Sequence, residues 1–138
     1  MTSITTSPKG TSSNSSQALH DLEKIVRANV RGSDNELRSK AEVELKQIKQ
    51  RQPANYFTGL CALMAHSSDP MIRSFAAVLL RQILAVTDDT YDNIPFQCQA
   101  QVRQTLLTCC AEEKDRDTLL QVSHALGQCA VHILCKQR

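Results

Sequence analysis

Apolar residues recur along this chain at helical spacing, and the stretch from Asp69 to Leu84 shows the pattern best. Ile72, Phe75, Ala76, Leu79, Leu80, Ile83 and Leu84 follow one another in steps that place them on one broad stripe of an α-helix. Asp69 is suited to cap that helix. Pro70 is suited to open it, because the first helical position has no intrahelical use for an N–H.

The same reading predicts five more helices. Leu19, Leu22, Ile25, Val26 and Val30 mark the first, which Gly32 ends. Ser33 or Asp34 caps a second, carrying Leu37, Ala41, Leu45 and Ile48 up to Gln52-Pro53, since Pro cannot continue a helix. Tyr56, Phe57, Leu60, Leu63 and Met64 give a third, ended by His66-Ser67-Ser68. After a loop around Thr87 to Pro95, Val102, Leu106, Cys109 and Cys110 mark another, and the last runs from about Leu119 to Arg138. Residues 1–16 are Ser/Thr-rich and almost free of apolar side chains, and are predicted to be a disordered tail.

The helices repeat. Leu22 maps to Phe57, Ile25 to Leu60, Asp34 to Asp69, Leu37 to Ile72, Arg38 to Arg73, Ala41 to Ala76, Leu45 to Leu80 and Ile48 to Ile83, each at the same offset of 35 (57 − 22, 69 − 34). A looser third copy is expected at an offset of 47, taking Ile72 to Leu119, Phe75 to Val122, Leu79 to Leu126 and Ile83 to Ala130, with Leu120 where the arginines stood. The reading is an all-α, right-handed α-solenoid of about three helix pairs, at about 17–52, 53–86 and 96–136. Such an array leaves the far face of its last helix uncovered, which suggests a chain cut short at its C-terminal end.

Composition agrees with this class. With three Phe, two Tyr and no Trp, the core must be built from Leu, Ile, Val and Ala, and a net charge of +2 supplies no basic stripe for nucleic acid. There is no apolar run of membrane-spanning length and no signal-like start, so neither a membrane nor an oxidising compartment is expected. The six cysteines then read as reduced thiols on apolar faces.

Candidate chemistry is sparse. Cys129, His132 and Cys135 stand at spacings that spread them around a helix, so no metal and no other cofactor is expected. A thiol with His124 or His132 lacks an oxyanion donor set and an orienting third group, and no catalytic residue is expected; these histidines read as surface residues. Glu112-Glu113-Lys114-Asp115 reads as a solvated turn. Asp34, Arg38, Asp69 and Arg73 are expected to form caps and a ladder in which each Asp meets an Arg of the adjacent copy. Opposite the apolar stripes, Ser39, Ser74 and Gln121 share one repeat position, Lys46, Arg81 and Gln128 another, and Glu42, Ala77 and His124 a third. Together they form a polar surface that could face a partner, although an ordinary solvated face has the same spacing.

Asp69-Pro70-Met71-Ile72-Arg73, followed by Ala76-Ala77-Val78-Leu79-Leu80-Arg81, resembles the second HEAT repeat of the β-karyopherin (importin-β) family. Ala41-Glu42-Val43-Glu44-Leu45-Lys46 resembles the segment that opens its importin N-terminal domain, and the likeness is nearest to the importin-4 and importin-5 branch. The resemblance covers roughly residues 18 to 138 and implies an N-terminal part of a nuclear transport receptor, shuttling between cytoplasm and nucleus. In that family the first repeats bind the small GTPase Ran in its GTP form through concave second helices. The candidates carried over are Ser39, Lys46, Ser74, Arg81, Gln121, His124 and Gln128. Protein cargo and nucleoporins would bind mainly through later repeats, with no nucleic acid and no membrane as partners. A helical trafficking adaptor of the VHS or ENTH kind is the other reading, and the regular 35-residue offset disfavours it.

Overall fold

The computed structural model describes the backbone of residues 2–136 and the side chains of residues 16–136. The described residues form seven helices and no strand: α1 (Thr2–Arg31), α2 (Asn35–Arg51), α3 (Pro53–His66), α4 (Pro70–Ile83), α5 (Thr90–Asn93), α6 (Phe96–Glu112) and α7 (Arg116–Lys136). The fold is all-α, as expected. The backbone of residues 2–16, expected to be part of a disordered tail, belongs to α1, and apart from Ser16 the side chains there lie outside the described ones. The last two residues of the final helix expected to reach Arg138 lie outside the described residues as well.

Local chemistry sets the helix bounds. Asp34 Oδ1 accepts the Glu36 N–H at 3.0 Å and Asp69 Oδ1 accepts the Met71 N–H at 2.9 Å, the same cap 35 residues apart and worth about 1 kcal/mol each. Pro53 and Pro70 open α3 and α4, where a missing N–H costs nothing. In the loop before each capped helix a carbonyl is also taken up in the same way. Arg38 Nε donates to Gly32 O at 2.7 Å, and Arg73 Nη1 donates to Ser67 O at 2.9 Å.

Consecutive helices pack as the pairs α1–α2, α3–α4 and α6–α7. The middle pair holds them together. α3 packs on α1, α2, α4 and α6, which is why Tyr56, Phe57, Leu60, Cys61, Leu63 and Met64 are buried around most of its circumference. At Gly59 the Leu22 side chain of α1 lies so close that an added Cβ would come within 2.5 Å of its Cδ2. α4 packs on α1, α3 and α7. No helix among the described residues is long and apolar enough to cross a membrane.

The 35-residue offset holds in the core, where Leu22 and Phe57, Val26 and Cys61, Ala41 and Ala76, and Leu45 and Leu80 are buried alike. It fails at Leu37, which is 51% exposed although its counterpart Ile72 is fully buried. The reason is packing. α4 is covered by α7, but α4 itself leans on α1 instead of α2, and α2 keeps an open side.

The third copy stands in a different register from the one expected. At an offset of 46 (102 − 56, 118 − 72), Tyr56 maps to Val102, Leu60 to Leu106, Leu63 to Cys109, Ile72 to Thr118, Ala76 to Val122, Leu79 to Ala125 and Ile83 to Cys129. Every one of these positions is buried. The offset of 47 instead pairs buried Ile83 with exposed Ala130. α7 carries a second apolar row, Leu119, Leu126 and Ile133, one residue or about 100° around the helix, and that half-buried row imitates a core stripe.

The extra residues form the α4–α6 connection with α5 inside it. Tyr91 and Ile94 are buried there, and Tyr91 meets Phe57 edge to face at 5.9 Å between centroids.

Candidate partner-binding face

The residues expected to line one polar surface divide into two groups. On α4 and α7 they come together. Arg81 Nη1 donates to His124 Nδ1 at 3.3 Å, and Ser74 and Gln121, one turn or so nearer the start of each helix, line a groove that Arg81 and His124 do not enter. Ser39 and Lys46 on α2 are exposed but stand apart, because α2 packs on α1 and α3. Ala77, expected on the polar row with Glu42 and His124, is fully buried. Gln128 has a structural task, donating from Nε2 to Leu84 O at 3.3 Å, where it serves a carbonyl at the end of α4.

The groove has a volume of about 610 Å³ and is lined by α1, α2, α4 and the start of α7. Met71, Phe75 and Val78 of α4 form its apolar floor; Arg38 stands on one rim and Asp115 and Asp117 on the other. Gln121 Oε1 is buried without a hydrogen-bond partner. An apolar floor between charges of both signs can seat an apolar side chain flanked by polar contacts.

Asp34, Arg38, Asp69 and Arg73 do not pair with one another across copies, and other residues take their place. Asp69 pairs with Arg27 at 3.3 Å and with Arg31 at 2.8 Å, both on α1, and not with Arg38. Partial burial pushes its carboxyl up, but the Met71 N–H and the two guanidiniums outweigh that and hold it below the usual range. Arg73 pairs with Glu113, a residue expected to be solvated, and that hydrogen bond holds the Glu113 carboxyl low. The sequence clue to the first rung was the spacing of Arg27 and Arg31, four apart on one face at the end of α1. Nothing in the sequence singled out Glu113.

His132 is also corrected from surface to core. It is fully buried, with Nδ1 2.9 Å from Leu84 O and 3.2 Å from Ala85 O, Nε2 2.9 Å from Asp92 Oδ1, and the Tyr91 ring edge-on at 5.4 Å. It ties the α4–α6 connection to α7. Cys129 is buried and Cys135 exposed, so Cys129, His132 and Cys135 point to different surroundings. Among the described residues no group of three or more His, Cys, Asp or Glu could hold a metal ion. Burial pushes the thiols of Cys61 and Cys109 up to about 12 and about 11 and raises that of Cys129, so they remain protonated and poor nucleophiles. No protein-family model, curated protein or solved structure matches the chain.

Proposed function

We propose that the chain is a non-catalytic interaction module, a right-handed solenoid of HEAT-type helix pairs forming the N-terminal part of a nuclear transport receptor. Its partner in this reading is Ran in the GTP form, bound on the α4–α7 face around Ser74, Arg81, Gln121 and His124, with Ser39 and Lys46 of α2 reaching it across the groove. Protein cargo and nucleoporins would engage elsewhere in the receptor, which shuttles between cytoplasm and nucleus. GTPase and cargo binding would be coupled as linked equilibria.

The observation that carries the reading is the repetition of a whole construction at one offset. The Asp34 and Asp69 caps, the Arg38 and Arg73 contacts to loop carbonyls, and the paired buried positions recur 35 residues apart. Repeats of this kind present long faces to partners without building an enclosed reaction site. The test is titration of the chain with Ran in its GTP and GDP forms by calorimetry. Selective binding to the GTP form, weakened roughly tenfold or more by Arg81→Glu, is expected. Equal binding to both forms, or none, rejects the assignment.

A further inference from the structure

α4 carries two apolar stripes. Ile72, Ala76 and Leu79 face the core, and Met71, Phe75 and Val78 each stand one residue earlier, about 100° around the helix. This second stripe is the floor of the groove, with Met71 50% exposed and Phe75 and Val78 half-buried. Its exposure does not come from an end of the array. The pair α1–α2 precedes α4 and the pair α6–α7 follows it, and α4 packs on both α1 and α7 while the stripe stays open. An apolar strip left bare between packed helices and rimmed by polar side chains marks a surface for a partner.

The rims and one wall define the chemistry of that partner. Arg38 uses only Nε on Gly32 O, and Asp115 uses Oδ2 on the N–H and hydroxyl of Thr118. Neither Arg38 nor Asp117 enters an ion pair among the described residues. A segment crossing α4 therefore meets a spare cation on the α2 side and a spare anion at the start of α7. Between them, Gln121 Oε1 is buried without a donor, and an occupant that supplies one removes the cost of leaving it empty. A helix has spare backbone N–H groups only in its first turn, whereas an extended chain offers them along its length.

We propose that the groove binds an extended peptide segment of a partner protein. One apolar side chain of the segment rests on Met71, Phe75 and Val78, an acidic residue meets Arg38, a basic residue meets Asp117, and a backbone N–H donates to Gln121 Oε1. The volume of about 610 Å³ holds a few residues. Charge complementarity selects this occupant. A polyanion would be repelled by Asp115 and Asp117, and a purely apolar ligand would answer neither rim nor the Gln121 acceptor. Arg81 and His124 do not line the groove, so the inference stands apart from GTPase binding.

The test uses the full chain and synthetic hexapeptides in which Leu, Met or Phe lies between Glu and Lys. Control sets carry the same apolar residue between two Glu, two Lys or two Ser. Fluorescence anisotropy should give dissociation constants on the order of 10–100 µM for the best Glu–Lys peptides and at least ~5-fold weaker binding for every control set. Amide signals of Met71, Ser74, Phe75 and Gln121 should move when the best peptide is added, and those of α6 should not. Met71→Glu, at an exposed site in the first turn of α4 where a carboxylate is tolerated, should weaken binding at least ~10-fold with the melting temperature unchanged. Asp117→Lys should turn the preference towards peptides with two Glu.

No preference for the Glu–Lys set up to about 1 mM overturns the proposal. So do amide shifts confined to residues outside the groove, or binding that Met71→Glu leaves intact. Groove signals that move with protein concentration alone would make a second copy the occupant and overturn it as well. Selective binding of Ran in its GTP form without peptide binding would leave the GTPase reading standing and reject this one.

Discussion

Arg73 holds Glu113 through two parallel hydrogen bonds, 2.9 Å from Nε to Oε1 and 3.0 Å from Nη2 to Oε2, while its third nitrogen donates to Ser67 O. One guanidinium thereby fastens the start of α4 to its own preceding loop and to the turn between α6 and α7. The side chains are 18% and 7% exposed, so this pair is neither a solvated surface bridge nor a fully desolvated one.

Removing one partner leaves the other short of its bonds, so Arg73→Ala or Glu113→Ala should each lower the unfolding free energy by about 2–3 kcal/mol. The double variant should lose at least ~1 kcal/mol less than the sum, because the second change removes a group already stranded. Arg38→Ala, the counterpart on exposed α2, should cost under ~1 kcal/mol. Urea unfolding followed by circular dichroism reads all four. Strict additivity of the Arg73 and Glu113 changes would contradict the pairing.

Acid should weaken the fold in a defined window. Glu113, Asp69 and Asp88 are all held below their ordinary values of 4.5 and 3.8: Glu113 by Arg73, Asp69 by Met71 N–H, Arg31 and Arg27, and Asp88 by Lys49 and Thr90. In both aspartates these bonds overcome an opposing push from burial. A depressed carboxyl contributes stability that is complete above its unfolded value and is lost as pH falls through the folded one. Stability should therefore be flat from about pH 7 to about pH 5 and then fall on further acidification, with Glu113→Gln showing a shallower fall. Urea midpoints across that series check it, and a midpoint that rises in acid would be incompatible with these pairs.

Thiol reactivity should separate the cysteines. Cys135 is exposed, whereas Cys61, Cys109 and Cys129 are buried with raised values. With a disulfide reagent at neutral pH, Cys135 should react within the first minutes, and the buried three should react only on unfolding. Mass mapping of the labelled peptides assigns the sites, and early labelling of Cys61 would contradict the packing of α3.

His132 fills core volume, with Nδ1 facing Leu84 O and Ala85 O and Nε2 facing Asp92 Oδ1. His132→Ala should cost about 3 kcal/mol from the cavity and the stranded carbonyls together. It should also raise amide hydrogen exchange in the α4–α6 connection more than in α1 or α2. Uniform exchange across the helices would show that the imidazole does not hold the connection in place.

Periodicity and capping made most of the helices legible. Asp69 and Leu84, the ends of the stretch with the best pattern, are the N-cap and C-cap of α4. Pairings such as Ala41 with Ala76 survived because small buried residues at one offset have few alternative explanations. α5 was not legible, since four residues carry no period. The polar face was legible only in part. Spacing gives the direction of a side chain about its own helix, and it cannot say which helix lies opposite. Ala77 was placed on the surface for that reason.

The chain by itself determined the all-α class and the cap at Asp69, which depend on residues within a turn or two of one another, and the 35-residue construction, which shows as a repeat of such local patterns. Only the tertiary structure decided the register of the third pair, since α7 bears two apolar rows and neighbouring helices choose which is buried. It also decided that Asp69 meets Arg27 and Arg31, that Glu113 leaves solvent for Arg73 and that His132 lies in the core. These outcomes follow from the packing of α4 on α1 and of α7 on α4, a relation between helices far apart in sequence.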